Sequence, residues 1–193
     1  MIGHLTGKLI AKTPPTLMVD VGGVGYELEA PMSTFYTLPA VGQQVSLHTH
    51  LVVREDAQLL LGFASIAEKN LFRELIRISG VGPKLALTVL SGASVDEFWN
   101  AVRALDASSL TRLPGIGKKT AERLLMEMKD RAAPATTVVS AGATTGSALQ
   151  EARAALAALG YKPAEVQKLT ESVQHERMTT EQIIQEALKK AAR

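Results

Sequence analysis

The sequence predicts a multidomain α+β chain: a small N-terminal β-barrel, a central all-α unit, and a short C-terminal three-helix module. Three observations predict it. The first 62 residues break into short apolar runs punctuated by Pro and Gly. The stretch from Leu71 to Met128 states one helix-turn-helix phrase twice. A tract without any charged side chain, 132–146, then precedes a last helical segment. The expected units are therefore 1–63, 64–131 and 147–193, with 132–146 as a flexible linker.

In the first unit, Ile2 to Ala11 alternates, Pro14-Pro15 interrupts, and Leu17 to Val21 resumes before Gly22-Gly23 turns tightly into Val24 to Glu29. Pro31 to Leu38 reads as a short helix or turn. Val45 to Val53 and Ala57 to Gly62 complete the set. Five short strands with one helical insert suggest a Greek-key barrel, of which the OB-fold is the common nucleic-acid-associated type. The last hairpin breaks at Arg54-Glu55-Asp56. A charged tip is by default a solvated one. Paired carboxylates also suit a divalent cation, but the local sequence offers no further oxygen ligands. His48 and His50 share a strand face. Two histidines make an incomplete metal site, so they read as surface or interface residues.

In the second unit, Ser65-x-x-Glu68 and Ser94-x-x-Glu97 are capping boxes. The first opens a helix carrying Leu71, Phe72, Leu75, Ile76 and Ile78 and ending at Gly80. Pro83 fits the first turn of the next helix. The second box opens a helix holding Phe98, Trp99, Val102 and Leu105, with Trp99 read as core. Asp106 is placed to cap a short helix ending at Arg112. The final helix aligns Ala121, Leu124, Leu125 and Met128 on one stripe. Across from it, Arg123–Glu127 and Glu127–Arg131 are spaced as i,i+4 ion pairs.

The repeated phrase is Ile78-Ser79-Gly80-Val81-Gly82-Pro83-Lys84-Leu85-Ala86 and, 35 positions on, Leu113-Pro114-Gly115-Ile116-Gly117-Lys118-Lys119-Thr120-Ala121. Two glycines let the backbone enter conformations closed to other residues and let a ligand approach the main chain. The helix that follows exposes unpaired N–H groups at its positive end, which suits an anionic oxygen. Lys84 and Lys119 add full charges just inside. Single glycine turns are often mere helix stops. Two in register, both with lysine, point to a clamp for two backbone phosphates that reads no base.

Charge distribution agrees. The net charge is +2, but residues 1–62 carry three basic against five acidic side chains, and residues 63–131 carry eleven against eight. The positive excess lies with the glycine turns. The absence of cysteine excludes a disulfide framework and thiolate chemistry and fits a reducing cytoplasm. No apolar run reaches membrane length, and no signal pattern opens the chain.

Beyond the linker, Ser147-x-x-Gln150 is placed to cap a helix ending at Gly160, Pro163 to start a second to about Val173, and Thr179-x-x-Gln182 to cap a third through Leu188. Three such short helices make a marginal core, as expected of a docking module.

Enzymatic readings fare poorly. Lys119 stands where a phosphate-binding loop needs Ser or Thr, and Arg112 where it needs its first glycine. The glycines at 22, 23 and 25 open no helix, so the dinucleotide fingerprint fails. No triad is apparent. Base-excision glycosylases use a similar Leu-Pro-Gly-Ile-Gly turn but need a catalytic aspartate, for which Asp130 is the nearest and a poor candidate. The chain reads as one that binds and does not catalyse, with no metal and no cofactor. A nuclease or glycosylase accessory fold and a generic duplex-binding scaffold are the rival readings.

The two phrases, extended through Glu122-Arg123-Leu124, resemble the helix-hairpin-helix pair of the bacterial RuvA family of Holliday-junction proteins. The resemblance extends to Met1-Ile2-Gly3, Val53-Arg54-Glu55-Asp56-Ala57 and Ala158-Leu159-Gly160-Tyr161-Lys162-Pro163. It implies an OB-fold barrel, a tandem helix-hairpin-helix domain and a C-terminal domain similar to ubiquitin-associated folds. It implies a homotetramer, or an octamer on DNA, holding a four-way junction open and planar for branch migration in recombination and repair. DNA contact would fall to Gly80, Val81, Gly82, Lys84, Gly115, Ile116, Gly117, Lys118, Lys119, Thr120 and Arg123. Glu55 and Asp56 would form a central acidic pin, which displaces the metal reading. The C-terminal domain would dock the hexameric ATPase RuvB, with Leu159, Tyr161 and Leu188 as candidate contacts, and the resolvase RuvC would share the junction's free face.

Overall fold

In the computed structural model, residues 1–129, 131, 145–171, 173 and 178–191 are described. Five strands, β1 (His4–Thr13), β2 (Thr16–Val21), β3 (Val24–Glu29), β4 (Gln44–Val53) and β5 (Gln58–Phe63), close into a barrel in the order β1-β2-β3-β5-β4. Neighbours run antiparallel except β3 and β5, which meet in parallel at Glu29 and Leu61. Alternation places Leu5 and Leu9 of β1 and Val45 and Leu47 of β4 inside. At the β2–β3 turn both Gly22 and Gly23 have positive φ, and the Gly23 N–H donates to Asp20 Oδ1 at 2.7 Å. The Pro31–Leu38 stretch resolves as helix α1 (Met32–Thr37), which buries Thr34 and Phe35.

Eight further helices follow among the described residues: α2 (Ile66–Leu75), α3 (Pro83–Gly92), α4 (Val95–Ala104), α5 (Ala107–Thr111), α6 (Lys118–Lys129), α7 (Thr145–Ala158), α8 (Pro163–Glu171) and α9 (Thr180–Ala191). Both capping boxes before α2 and α4 are formed, Asp106 caps α5, and Pro83 occupies the first turn of α3. The Thr179 box is present too: Thr179 N–H donates to Gln182 Oε1 at 3.0 Å and Gln182 N–H to Thr179 Oγ1 at 3.4 Å.

The chain divides into two compact units, Met1–Pro134 and Ala135–Arg193. Within the first, the barrel interior is one apolar cluster and the helices α2–α6 form another. Leu61 and Phe63 of β5 belong to the helical cluster. Phe63 meets Phe72 of α2 with ring centroids 5.1 Å apart, so the barrel's last strand is also a wall of the helical core. The second unit holds a small core of Leu156, Val166, Val173 and Ala187.

Several expectations shift. α2 stops at Leu75, and Ile76–Gly80 is a tight turn held by the Ile78 N–H on the Leu75 carbonyl at 3.0 Å. α7 begins at Thr145, so Ser147 lies inside the helix and is not its N-cap, and it stops at Ala158, ahead of Gly160 with φ +98°. The linker expected over 132–146 lies outside the described residues except for its last two positions, which are helical; Asp130 lies outside them as well. Leu105 lies just past the helix expected to hold it: it closes α4 in the left-handed conformation and is 51% exposed. Neither proposed ion pair on α6 forms, because Arg123 and Arg131 reach across to other segments. Arg131 binds Glu74 Oε2 at 2.9 Å. Trp99 is half-buried against the helical core, as expected. His48 packs edge-on to His4 and His50 lies against Phe72. Burial, then the nearby Arg73 and Lys69 charges, holds the His50 imidazole below its usual pKa.

Candidate nucleic-acid interface

The two glycine turns are copies in backbone as well as in sequence. In the first, Ile78 N–H binds the Leu75 carbonyl at 3.0 Å, Val81 N–H the Ile78 carbonyl at 2.9 Å, and Ala86 N–H the Gly82 carbonyl at 3.0 Å. In the second, Leu113 N–H binds Leu110 at 3.1 Å, Ile116 N–H binds Leu113 at 3.2 Å, and Ala121 N–H binds Gly117 at 2.9 Å. Gly80 and Gly115 both turn through the left-handed region, with φ +83° and +78°. The second glycine differs in kind. Gly82 is the N-cap of α3 with φ −86°, a conformation open to any residue. A Cβ at Gly82 or Gly117 would meet nothing within 4 Å. The main chain at the start of α3 and of α6 is bare, with first-turn amides that have no intrahelical partner.

Between the glycines, Val81 and Ile116 point inward, each 5% exposed, and share the core with Ala86 and Ala121, both 0% exposed. Their amides are spent inside the turn. Both side chains are therefore anchors that hold the turn down. Lys84, Lys118 and Lys119 are exposed, and none enters an ion pair among the described residues. Thr120 is half-buried beside them.

Arg123 does something sequence spacing did not reveal. From α6, after the second turn, its Nη1 donates to the Ser79 carbonyl of the first turn at 2.9 Å. The same atom lies 3.3 Å from where a Cβ at Gly80 would sit. In return Leu85 of α3 lies against Gly115, with its Cδ1 3.7 Å from that glycine's Cβ position. Each turn is thus buttressed by the helix following the other. Gly92 at the end of α3 admits Leu113, whose Cδ2 occupies the space a side chain there would need. Asp106, whose carboxyl is held down to about 2 by hydrogen bonds from the Ser108 and Ser109 hydroxyls and backbone, fixes the start of α5 just ahead of the second turn.

The acidic hairpin is a four-residue loop, closed by Val53 pairing Gln58 and by the Arg54 N–H on the Ala57 carbonyl at 2.8 Å. Glu55 and Asp56 are exposed at its tip and engage no cation among the described residues. Its base shares a cleft of about 630 Å³ with the first clamp: Arg54, Ala57 and Gln58 line one side and Pro83, Lys84 and Thr88 of α3 the other. In the second unit, Leu159 is 62% exposed, while Tyr161 and Leu188 pack against the small core. No group of three or more His, Asp or Glu is placed to hold a metal ion among the described residues, and no helix among them is long and apolar enough to cross a membrane.

Two bare helix starts flanked by free lysines, cross-braced on one core and joined to a closed barrel, define a helix-hairpin-helix nucleic-acid-binding protein. Comparison with known proteins agrees: residues 1–62 match the family description "RuvA N terminal domain", 72–130 "SAM-like Helix-hairpin-helix tandem", and 147–192 "RuvA, C-terminal domain". A relative from Stutzerimonas stutzeri (strain A1501), "Holliday junction branch migration complex subunit RuvA", is 55% identical over 98% of both chains. Relatives of the same description from Pseudomonas paraeruginosa and Pseudomonas fluorescens are 54% and 52% identical, each again over 98% of both chains. The chain belongs to the RuvA family.

The glycines separate into a pair that the backbone requires and a pair that it does not, and substitution tests the division. Gly80→Ala and Gly115→Ala each lose about 1–2 kcal/mol of stability in urea denaturation, from the left-handed backbone. Gly82→Ala and Gly117→Ala, in open space, stay within about 0.5 kcal/mol of the parent. Equal losses at all four positions contradict this assignment.

Proposed function

We propose that this chain binds four-way DNA junctions by shape, holds them open, and loads a RuvB-type hexameric ATPase for branch migration. The observation that carries the reading is the pair of turns matched in hydrogen bonding and glycine conformation, each offering bare amides and exposed lysine. Such a grip takes phosphate and ignores base identity. The relatives' description as a branch migration complex subunit supports the junction as the target. On this reading the chain is a non-catalytic DNA-binding subunit, and nucleotide hydrolysis belongs to the RuvB partner.

Selection of a junction over plain duplex falls to the acidic tip and to symmetry. A homotetramer with the barrels central brings the Glu55-Asp56 hairpins together where four arms diverge. Carboxylates facing phosphates repel, more strongly as water is excluded, which keeps the strands apart at the crossover. An octamer of two tetramers closes both faces of the junction, whereas one tetramer leaves a face for RuvC. The units 1–63, 64–131 and 147–193 then divide the labour as barrel with pin, DNA clamp and motor dock. Exposed Leu159 is the motor contact favoured by the structure over Tyr161 and Leu188, which are committed to the core.

Three measurements test these parts separately. Lys84→Glu with Lys119→Glu weakens junction and duplex binding alike, and the slope of log K against log salt becomes shallower by about 2. Unchanged affinity removes the clamp. Glu55→Ala with Asp56→Ala raises duplex affinity and narrows the preference for a junction in direct competition; an unaltered preference makes the pin decorative. Truncation after Gly142 keeps junction binding but stops motor-driven branch migration, and continued migration refutes the docking role.

A further inference from the structure

Glu68 is one of the few buried polar side chains among the described residues, at 9% exposure. Its place in the capping box of α2 explains part of this: its Oε2 accepts the Ser65 N–H at 3.2 Å, and its own N–H donates to Ser65 Oγ at 3.1 Å. The rest of its bonding leaves the helix. Oε1 accepts the Ser33 hydroxyl at 2.5 Å, and Oε2 accepts the Thr34 hydroxyl at 3.3 Å and the Ala64 N–H at 3.1 Å. Ser33 and Thr34 lie on α1, the helix inserted in the barrel. Thr34 Oγ1 also accepts the Ala64 N–H, at 3.0 Å. One carboxylate therefore ties the barrel insert to the start of α2.

The same insert is tied to α3. The Met32 N–H donates to Ser91 Oγ at 3.0 Å, and that hydroxyl donates to the Leu87 carbonyl at 2.6 Å. α2 and α3 are the two helices that bracket the first glycine turn. α1 thus meets both arms of the first clamp through directional hydrogen bonds. Outside α1, the barrel meets the helices through the apolar packing of Phe63 and His50 against Phe72 and through an exposed hydrogen bond, from Lys69 Nζ to the Gly3 carbonyl at 3.0 Å. Apolar faces resist sliding less than paired donors and acceptors do, and an exposed lysine on a long flexible stem constrains less than a buried carboxylate.

The chain contains its own control. The second capping box, Ser94 with Glu97, has the same chemistry, but among the described residues Glu97 bonds to Ser94 alone and lies exposed. Local helix capping therefore needs neither burial nor the bonds to Ser33 and Thr34.

We infer that Glu68, with Ser33 and Thr34, is a positioning group that fixes the barrel and its Glu55-Asp56 hairpin relative to the phosphate clamps, and so sets junction selectivity. This deepens the reading above and rests on it for the selectivity half alone. A pin can exclude strands only if its distance from the clamps is constant, and a bidentate buried carboxylate is a means of keeping it so.

The experiment uses the full chain. Because it has no cysteine, Gln43→Cys on the barrel side and Glu122→Cys on α6 accept spin labels, diluted with unlabelled chain so that each assembly carries one pair. The parent and Glu97→Ala give one narrow distance distribution. Ser33→Ala with Thr34→Ala, which leaves the capping box whole, broadens it, as does Glu68→Ala; Glu68→Gln, which keeps the acceptor oxygen for Ala64 and Ser65, stays narrow. In unlabelled chains the broadened variants keep duplex affinity within about twofold and lose about tenfold in junction-over-duplex preference. A distribution unchanged in Ser33→Ala/Thr34→Ala overturns the positioning role. A broadened distribution with intact preference overturns the link to selectivity and leaves the junction reading standing. A parent with no junction preference would falsify that reading instead, while the distances still decide the positioning role.

Discussion

The central unit obeys one geometric demand: a helix must stop and another restart within a few residues, with the new N-terminus left bare. Gly80 and Gly115 meet it by turning through the left-handed region, which a side chain would strain. The residue after each, Val81 or Ile116, is driven into the apolar core. That plug matters as much as the glycine. A turn held only by its own hydrogen bonds would drift, whereas one whose middle residue is buried moves only if the core moves. Both plugs enter the same core, so the two bare helix starts are parts of one rigid body.

Cross-bracing follows from that shared core. Arg123 on α6 holds the first turn through Ser79, and Leu85 on α3 supports the second at Gly115. Arg131, at the end of the same segment as α6, closes on Glu74 at the end of α2. Surface ion pairs contribute little energy by themselves, but here the partners lie far apart in sequence and converge on the first hairpin. The duplication is therefore one bilateral device. The barrel is joined to it on the side of the first turn, where β5 enters the helical core and α1 meets α2 and α3.

Much of this was legible in the sequence where a local rule governs the outcome. Period-two runs and Gly22-Gly23 specified strands and a turn. The capping boxes at Ser65, Ser94 and Thr179 marked true helix starts, and the repeated phrase located the two matched turns. Ser147 misled because a three-residue capping pattern inside an alanine-rich stretch does not stop a helix from beginning earlier, at Thr145. Leu105 misled because its apolar spacing continues past the point where the chain turns left-handed. The i,i+4 pairs of α6 failed because the fold brings other acceptors within reach: Arg123 donates to the neutral Ser79 carbonyl and Arg131 pairs with Glu74. What Glu68 touches beyond its own helix was illegible for the same reason: the pattern shows that a glutamate caps, and only the fold shows what else it reaches. Val81 and Ile116 belong to the motif, but a motif does not say which of its side chains face the core.

The two turns match in backbone yet are unequal in chemistry. At the first helical position α3 has Pro83, which has no amide to offer, and α6 has Lys118, which offers an amide and a charge. Lys84 and Lys119 are equivalent, so the second turn carries one more donor and one more cation of its own. The first turn recovers part of this from Arg123, whose guanidinium lies beside Gly80 but has one nitrogen committed to Ser79. On the proposed clamp reading, a phosphate at the first turn would meet fewer amides and a braced cation, and one at the second a full helix start and free lysines. A pair of unequal grips at fixed spacing is directional: a backbone laid across it in the reverse sense exchanges its strong and weak contacts. Indifference to base sequence is thus compatible with a defined direction of approach, and that is what a shape-reading protein needs if every arm of a branched substrate is to enter with the same polarity relative to the barrel.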